Sequence, residues 1–255
     1  MDLKNGDCLE LMKKIPDKSV DLLICDLPYG GETNCHWDIA IDLEKFWEQF
    51  KRIRKSKRVA CIHFCSTKFG YSLIKSWEKG FKMDMVWKKR NKTGGLQSRH
   101  RPMRNHEMVY FFYEQSPKYN RDKYHKRIKD MKLGKSDCVE TIVKENTITE
   151  CKTYGTGKHY GYANGEPAGA KWEPVLPVSL FECKEGFGRR RHHQTEKPQD
   201  ILEFFLKYWS DEGDTILDPT MGSGSTGVAC KKLNRKFIGF ELDETIFNVA
   251  KKRCE

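Results

Sequence analysis

Residues 218–227, Asp-Pro-Thr-Met-Gly-Ser-Gly-Ser-Thr-Gly, follow the short apolar run 215–217 and precede a segment with helical spacing that extends to residue 232. In open α/β sheets, ligands bind beyond the carboxyl ends of the strands, where such a turn lies. Gly222 and Gly224 allow a tight turn and a close approach of the backbone to a ligand, because neither carries a Cβ. The stretch therefore predicts an α/β fold with a binding site at this turn.

Strand and helix patterns alternate along the rest of the chain. Apolar runs predict strands at 19–25, 58–65, 81–87, 107–113, 215–217 and 236–240. Helical spacing and end signals predict helices at 43–53, at 67–79, at 198–209 with Pro198 in the first turn, and from 243 onward. This alternation predicts a doubly wound, mostly parallel sheet.

Residues 115–191 interrupt the pattern. They are basic and rich in Gly and Tyr, and they show weak periodicity. We therefore expect an inserted segment at 115–191 between two parts of one core, 1–114 and 192–255.

Composition limits the class of protein. Hydrophobic residues make up 38% of the chain, and no stretch approaches the ~20 apolar residues of a membrane helix. The sequence begins without an apolar run of signal-peptide type, so the expected location is the cytoplasm. The ten Cys are scattered without a CxxC pair, which favours reduced thiols and no metal site.

The charge favours a polyanionic partner. The net charge is +11, and residues 90–135 hold 13 Lys or Arg against 4 Asp or Glu. A basic surface beginning near residue 90 would bind nucleic acid through release of counterions.

The strand after the glycine turn ends at Glu241, 17 residues beyond Gly224. A carboxylate at this place can accept hydrogen bonds from both ribose hydroxyls of a nucleotide-containing cofactor. Gly222, Gly224 and Gly227 also fit the GxGxxG spacing, which leaves a dinucleotide open. Asp218 favours a cationic cofactor without phosphate, because its carboxylate would repel a pyrophosphate.

Four short segments, taken in order, resemble those of the DNA amino-methyltransferases with the permuted β arrangement. They are Asn-Gly-Asp-Cys at 5–8, Asp-Leu-Pro-Tyr at 26–29, His-Gln-Thr-Glu-Lys-Pro at 193–198, and the turn at 218–226. Arg-Asn-His-Glu at 104–107 also resembles a recurrent segment of that family. The resemblance spans 1–114 and 192–255. It implies a Rossmann-like methyltransferase fold with a seven-stranded sheet and S-adenosylmethionine as the cofactor.

The resemblance also implies the roles of individual residues. Asp26 and the carbonyl of Leu27 would hold the hydrogens of an exocyclic amine, Pro28 would stiffen the loop, and Tyr29 would stack on a base flipped out of double-stranded DNA. The residues expected around the cofactor are Asp7, Cys8, Asp26, Thr195, Lys197, Asp218, Thr220, Gly222, Gly224 and Glu241. In the family, Asp at the first catalytic position is typical of adenine-N6 enzymes, and Ser of cytosine-N4 enzymes.

Two positions depart from the family pattern. Leu27 replaces the usual first Pro, but its carbonyl survives. Thr220 replaces a Phe that would cover the cofactor, so the sequence does not define the contacts with the cofactor at this position.

The insertion is expected to recognise the target sequence, and the DNA-binding candidates are arginines before it and at its end: Arg99, Arg101, Arg104, Arg189, Arg190 and Arg191. They could bind phosphates or form bidentate contacts to guanine. The resemblance is compatible with a homodimer and with membership of a restriction-modification system. The alternatives are a cytosine-N4 enzyme, an enzyme acting on amines of RNA or protein, a DNA-binding protein without catalysis, and, more remotely, a nicotinamide oxidoreductase.

Overall fold

The computed structural model describes residues 1–30, 39–127, 162–163, 166–167, 172–183 and 196–255. The chain divides into two compact units. The first comprises Met1–Asn120 and Val178–Glu255, and the second is Arg121–Pro177. The second unit is shorter than the insertion expected at 115–191, because the segment after residue 177 contributes a strand to the sheet of the first unit.

One mixed sheet forms the centre of the first unit. In chain order its strands are β1 (Asp2–Asn5), β2 (Leu22–Cys25), β3 (Cys61–Cys65), β4 (Phe81–Thr93), β5 (Arg104–Phe112), β10 (Leu180–Glu182), β11 (Thr215–Asp218) and β12 (Lys236–Glu241). Their order across the sheet is β1-β12-β11-β2-β3-β5-β4-β10. Of these eight, β5 alone runs antiparallel to its neighbours. The expected mostly parallel α/β sheet is confirmed.

The expected number of seven strands is wrong, because the described sheet has eight. The apolar patterns missed both edge strands. β1 reads Asp-Leu-Lys-Asn, and β10 is three residues long at the end of a basic segment. Edge strands of this kind are held by backbone pairing, here with β12 and β4, and need no apolar run.

The described part of the first unit has six α-helices, of which five connect strands and the last follows β12. They are α1 (Cys8–Met12), α2 (Leu43–Ile53), α3 (Thr67–Ser76), α5 (Gln199–Trp209), α6 (Ser225–Lys232) and α7 (Glu244–Cys254). Side-chain caps fix several of their starts. Asp42 accepts from the backbone N–H of Lys45 at 3.1 Å, and Asp243 accepts from that of Ile246 at 2.9 Å.

Successive strand residues point to opposite faces of the sheet, and both faces are packed. Leu23 and Cys61 belong to the core shared with Phe46 and Phe50 of α2. Phe64 lies three residues after Cys61 on β3 and therefore points to the other face. It packs against Phe205 of α5, with ring centroids 5.9 Å apart. Helices therefore cover both faces, as the doubly wound prediction requires.

The second unit contains short elements. They are α4 (Arg121–Tyr124), β6 (Lys126–Arg127), β7 (Tyr162–Ala163), β8 (Glu166–Pro167) and β9 (Trp172–Glu173). β6 pairs with β9, and β7 pairs with β8. The guanidinium of Arg121 lies 4.4 Å from the centre of the Trp172 ring, a cation–π contact.

Within the described ranges, none of the helices has both the length and the apolar character needed to cross a membrane.

Candidate functional site

The site forms where the strand order reverses. β11 and β2 are neighbours, and the chain leaves them in opposite directions, through α6 to β12 and through α2 to β3. Such a switch point opens a crevice beyond the carboxyl ends of the two strands. Asp218 ends β11, and Asp26 directly follows β2. Asp26 and Asp218, the two strongest sequence signals, are 192 residues apart in the chain, yet they meet at one edge of the sheet.

A cavity of about 610 Å³ lies in this crevice. Its described lining carries seven carboxylic residues and a single Lys or Arg, Lys197. Eight of the residues predicted for the cofactor line it: Asp7, Cys8, Asp26, Lys197, Asp218, Thr220, Gly222 and Glu241. The size suits a nucleoside-containing ligand. The acidic lining suits a cationic ligand and disfavours a pyrophosphate, which weakens the dinucleotide alternative.

The glycine turn takes the shape its sequence predicts. Gly222 has φ +53° and Gly224 has φ +80°, both in the left-handed region. The backbone N–H of Gly222 donates to Glu241 Oε2 at 3.0 Å, and that of Asp243 donates to Oε1 at 2.9 Å. Glu241 therefore holds the turn and the segment leading into α7. Gly224 itself is absent from the cavity lining: a Cβ there would lie 3.1 Å from that of Ala250.

Asp218 is a buried carboxylate held by two donors. The Thr226 hydroxyl donates to Oδ2 at 2.6 Å, and the Thr220 N–H donates to Oδ1 at 3.2 Å. Burial raises the pKa of Asp218 to about 7, and the nearby carboxylates of Asp26 and Glu241 add to that rise, while the two donors oppose it. A cation in the cavity would therefore stabilise the charged form of Asp218.

The loop after β2 presents an acceptor and an aromatic ring. Asp26 lines the cavity, and its Oδ1 accepts from the Tyr29 hydroxyl at 3.0 Å. The Tyr29 ring stacks on Phe69, with centroids 5.1 Å apart and an interplanar angle of 29°. Pro28 lines the cavity too, whereas the side chain of Leu27 is buried in the core. The buried Leu27 side chain and the stacking of Tyr29 on Phe69 thus hold the loop in place.

Lys197 joins this loop to β5. Its Nζ lies 2.6 Å from Asp26 Oδ2 and 3.5 Å from Glu107 Oε2. Burial lowers the pKa of Lys197, but the carboxylates of Asp26 and Glu107 more than offset it and hold the pKa above its ordinary value. The preceding Glu196 pairs with Arg253 Nη2 at 2.5 Å. This pair fixes the segment against α7.

Glu107 is a site residue for which the sequence predicts no role, although Arg-Asn-His-Glu at 104–107 resembles a segment of the family. Both of its oxygens face lysines, because Lys89 pairs with Oε1. Burial raises the pKa of Glu107, but Lys197 and Lys89 lower it by more, so the carboxyl stays ionised. The only signal in the sequence was a carboxylate at the start of the apolar run Met-Val-Tyr-Phe-Phe.

The other predicted residues are placed as follows. Thr195 and Arg189, Arg190 and Arg191 lie outside the described residues. Arg99 and Arg101 are exposed on the turn between β4 and β5. Arg104 is half-buried and donates through Nε to the carbonyl of His106 at 3.1 Å.

Among the described residues, one group of three side chains could ligate a metal: Cys25, Cys61 and His63. The group is fully buried and comes from the paired strands β2 and β3, which is why no sequence spacing revealed it. Cys25 Sγ lies 3.0 Å from His63 Nδ1, and Cys61 Sγ lies 3.2 Å from Nε2. Each ring nitrogen therefore has a thiol as hydrogen-bond partner, which is what a buried histidine requires.

The residues present fit S-adenosylmethionine. Glu241 stands at the end of the strand next to the glycine turn, where ribose hydroxyls could donate to it. The seven carboxylic residues around the cavity match a sulfonium and an α-amino group better than a phosphate.

Comparisons with known proteins agree with this geometry. The sequence model of the N6_N4_Mtase family, described as DNA methylase, matches residues 20–252. The type II methyltransferase M.HinfI of Haemophilus influenzae is 26% identical over 97% of this chain and 66% of its own length. The type II methyltransferase M2.LlaDCHI of Lactococcus lactis subsp. cremoris is 26% identical over 98% of this chain and 88% of its own length.

Two solved structures share the fold. The M1.HpyAVI–SAM complex is 21% identical with a TM-score of 0.59, over 99% of this chain and 98% of that one. The PvuII DNA methyltransferase, described as cytosine-N4-specific, is 15% identical with a TM-score of 0.65, over 98% of this chain and 85% of that one. Since the family model covers nearly the whole chain, the chain belongs to the N6_N4_Mtase family of DNA methylases, whose methyl donor is S-adenosylmethionine.

Proposed function

We propose that this protein transfers a methyl group from S-adenosylmethionine to the N6 amine of an adenine flipped out of double-stranded DNA. The observation that carries the proposal is the Asp26 carboxylate, which lines the acidic cavity at the switch point of the sheet. In this family, an aspartate at the first catalytic position is the type associated with adenine rather than cytosine.

The chemistry requires an acceptor at this place. The lone pair of an adenine amine is delocalised into the ring, so the amine is a weak nucleophile. A carboxylate oxygen of Asp26 and the carbonyl of Leu27 would each accept one amine hydrogen. This would orient the nitrogen and favour the pyramidal geometry it needs to attack. When bound, the cofactor would supply a methyl group on a positively charged sulfur; the sulfur would leave as a neutral thioether, and the methylated amine would lose one proton to solvent.

Neighbouring residues support the acceptor. The hydroxyl of Tyr29 and the ammonium of Lys197 both donate to Asp26, which fixes the orientation of the carboxylate. Tyr29 is half-buried, and we expect the flipped base to stack on the face of its ring opposite Phe69. No covalent intermediate between enzyme and base is required.

DNA binding would rest on basic residues near the same edge. Because β5 is antiparallel, the β4–β5 turn lies at the carboxyl edge of the parallel strands, as Asp26 does. Arg99 and Arg101 are exposed on that turn. We expect them, with the basic insertion at 115–191, to contact the DNA and to help offset the cost of extruding a base, a few kcal/mol.

The test is transfer of label from tritiated S-adenosylmethionine to unmethylated DNA, followed by mass spectrometry of the nucleosides. We expect N6-methyladenine from the wild type and none from Asp26→Ala. Asp2→Ala is the matched control, since Asp2 lies on the edge strand β1 and pairs with Lys4 at the surface. N4-methylcytosine would correct the target base and keep the mechanism. Folded protein that binds the cofactor but methylates no DNA would overturn the proposal.

A further inference from the structure

Both carboxylate oxygens of Asp26 already have donors. The Tyr29 hydroxyl donates to Oδ1 at 3.0 Å, and the Lys197 ammonium donates to Oδ2 at 2.6 Å. The bond from Lys197 is charge-assisted and short, so it belongs to the stronger class of hydrogen bonds. Each oxygen has a second lone pair, but the cation on Oδ2 draws negative charge from it, so a neutral amine meets a weakened acceptor.

Glu107 offers the same ammonium a second carboxylate. Its Oε2 lies 3.5 Å from Lys197 Nζ, just beyond the distance of a full hydrogen bond. A displacement of Nζ by roughly 1 Å would close that gap. The side chain of Lys197 is 12% exposed, so water offers little alternative solvation for the charge.

The surroundings favour a short movement between the two carboxylates. Lys197 Nζ lies 5.0 Å from the centre of the Phe64 ring and 5.9 Å from that of Trp87, so aromatic faces stabilise the cation. Lys89 pairs with Glu107 Oε1, which leaves Oε2 directed at Lys197. Lys89, Lys197, Asp26 and Glu107 together carry no net charge. After a shift of the ammonium, Asp26 would keep the Tyr29 hydroxyl and Glu107 would keep Lys89, so each carboxylate retains a donor.

We propose that Glu107 is a positioning residue that takes over Lys197 when the target amine arrives, and so frees Oδ2 of Asp26 to accept the amine hydrogen. The inference rests on the proposed function, but it requires only an exocyclic amine and holds for adenine or cytosine. Without Glu107, Asp26 would remain the carboxylate partner of Lys197, and the amine would meet an oxygen already bonded to a cation and therefore a weaker acceptor.

A double-mutant cycle tests whether Glu107 acts through Lys197. The variants are Glu107→Gln, Lys197→Met and the two combined, assayed at saturating cofactor and DNA. We expect Glu107→Gln to lower kcat about 10-fold in the wild-type background and less than about 2-fold in the Lys197→Met background. The KM for DNA and the Kd for the cofactor should change by less than about 2-fold on Glu107→Gln, because the defect arises after both have bound.

Glu182→Gln is the matched control. Glu182 pairs with Lys88 on the strand that carries Lys89, but that pair is exposed and lies between the edge strand β10 and β4, so kcat should not change. If Glu107→Gln does not fold, as judged by thermal unfolding, Glu107→Asp replaces it. Glu107→Asp keeps the carboxylate but shortens the side chain by one methylene. Its loss of kcat should likewise disappear in the Lys197→Met background.

The outcomes separate the two proposals. A wild type that methylates no DNA overturns the proposed function. An active wild type with an unaffected Glu107→Gln variant, or with equal losses in both backgrounds, overturns only the role of Glu107. A loss of kcat on Glu107→Gln that disappears in the Lys197→Met background establishes the positioning role of Glu107.

Discussion

The hydroxyl of Thr220 donates a hydrogen bond to the main-chain carbonyl of Asp26, at a distance of 3.2 Å. The two residues are 194 positions apart in the sequence, yet they follow neighbouring strands of the sheet. One contact thus joins the turn proposed to hold the cofactor to the loop proposed to hold the target amine. Thr220, one of the two residues at which the chain departs from the family pattern, makes this contact, and the usual Phe could not.

Replacing Thr220 by Val removes the hydroxyl and keeps the shape. We expect kcat to fall about 3-fold to 10-fold, because the Asp26 loop loses a fixed point, and the free energy of unfolding to fall by about 1 kcal/mol. Steady-state methylation and urea denaturation measure the two effects. Thr93→Val is the control, since the Thr93 hydroxyl bonds to the exposed carbonyl of Arg104. Unchanged kcat in Thr220→Val would show that the contact does not order the loop.

The sequence predicted the elements whose stability depends on burial. Helix α2 has the predicted bounds, Leu43–Ile53, because apolar spacing and the Asp42 cap both mark it. The buried strands β2 and β3 were apparent as apolar runs. The edge strands β1 and β10 were not, because backbone pairing rather than side-chain burial holds them in place.

The parts of the site that lie within local sequence motifs could be predicted. Asp26 and Asp218 each follow a strand, and parallel strands bring their carboxyl ends together, so their proximity could be inferred. The contact of Lys197 with Glu107 could not. It depends on β5 running antiparallel, which brings the first residues of β5 to the carboxyl edge of the parallel strands. No local pattern specified that direction.

Asp218 predicts a pH dependence of stability. Burial raises its pKa in the folded protein to about 7, above the unfolded value of about 3.9. The folded state therefore binds the proton more tightly. The stabilisation from this proton is fully present below pH ~4 and is lost as the pH rises through ~7, at no more than about 1.4 kcal/mol per pH unit.

Asp218→Asn removes this titration. We expect the stability of the wild type, relative to Asp218→Asn, to decline between pH 4 and 7 and to level off above 7. Urea denaturation of both proteins over this range measures the difference. Parallel pH profiles of the two proteins would contradict the raised pKa of Asp218.

Glu241 should dominate binding of the cofactor's ribose. Replacing it by Ala removes the proposed acceptor and frees the N–H groups of Gly222 and Asp243. We expect the Kd for S-adenosylmethionine to rise about 10-fold to 100-fold, in line with about 1.5–3 kcal/mol for hydrogen bonds to a charged group. Isothermal titration calorimetry without DNA gives the Kd directly. Glu244→Ala, an exposed change in the first turn of α7, is the control. Equal affinities of the two variants for S-adenosylmethionine would show that the ribose does not bind at Glu241.

Arg99 and Arg101 provide a test of how the protein binds DNA. Both are exposed on the β4–β5 turn, at the same edge of the sheet as Asp26. If each neutralises one phosphate, the double Ala variant should lower the slope of log K against log salt by about 2. The loss should be equal for methylated and unmethylated sites and for unrelated sequences, because phosphate contacts carry no sequence information.

Fluorescence anisotropy with duplex DNA at several salt concentrations measures this slope. Lys55→Ala with Lys57→Ala is the control. These lysines precede β3 and so lie at the opposite edge of the sheet, where they pair with Asp21 and Glu114, and the slope should not change. If the arginine variant instead keeps the salt slope and loses affinity for one sequence only, Arg99 and Arg101 read guanine bases. The β4–β5 turn would then belong to target recognition, and phosphate binding would fall to the other basic residues.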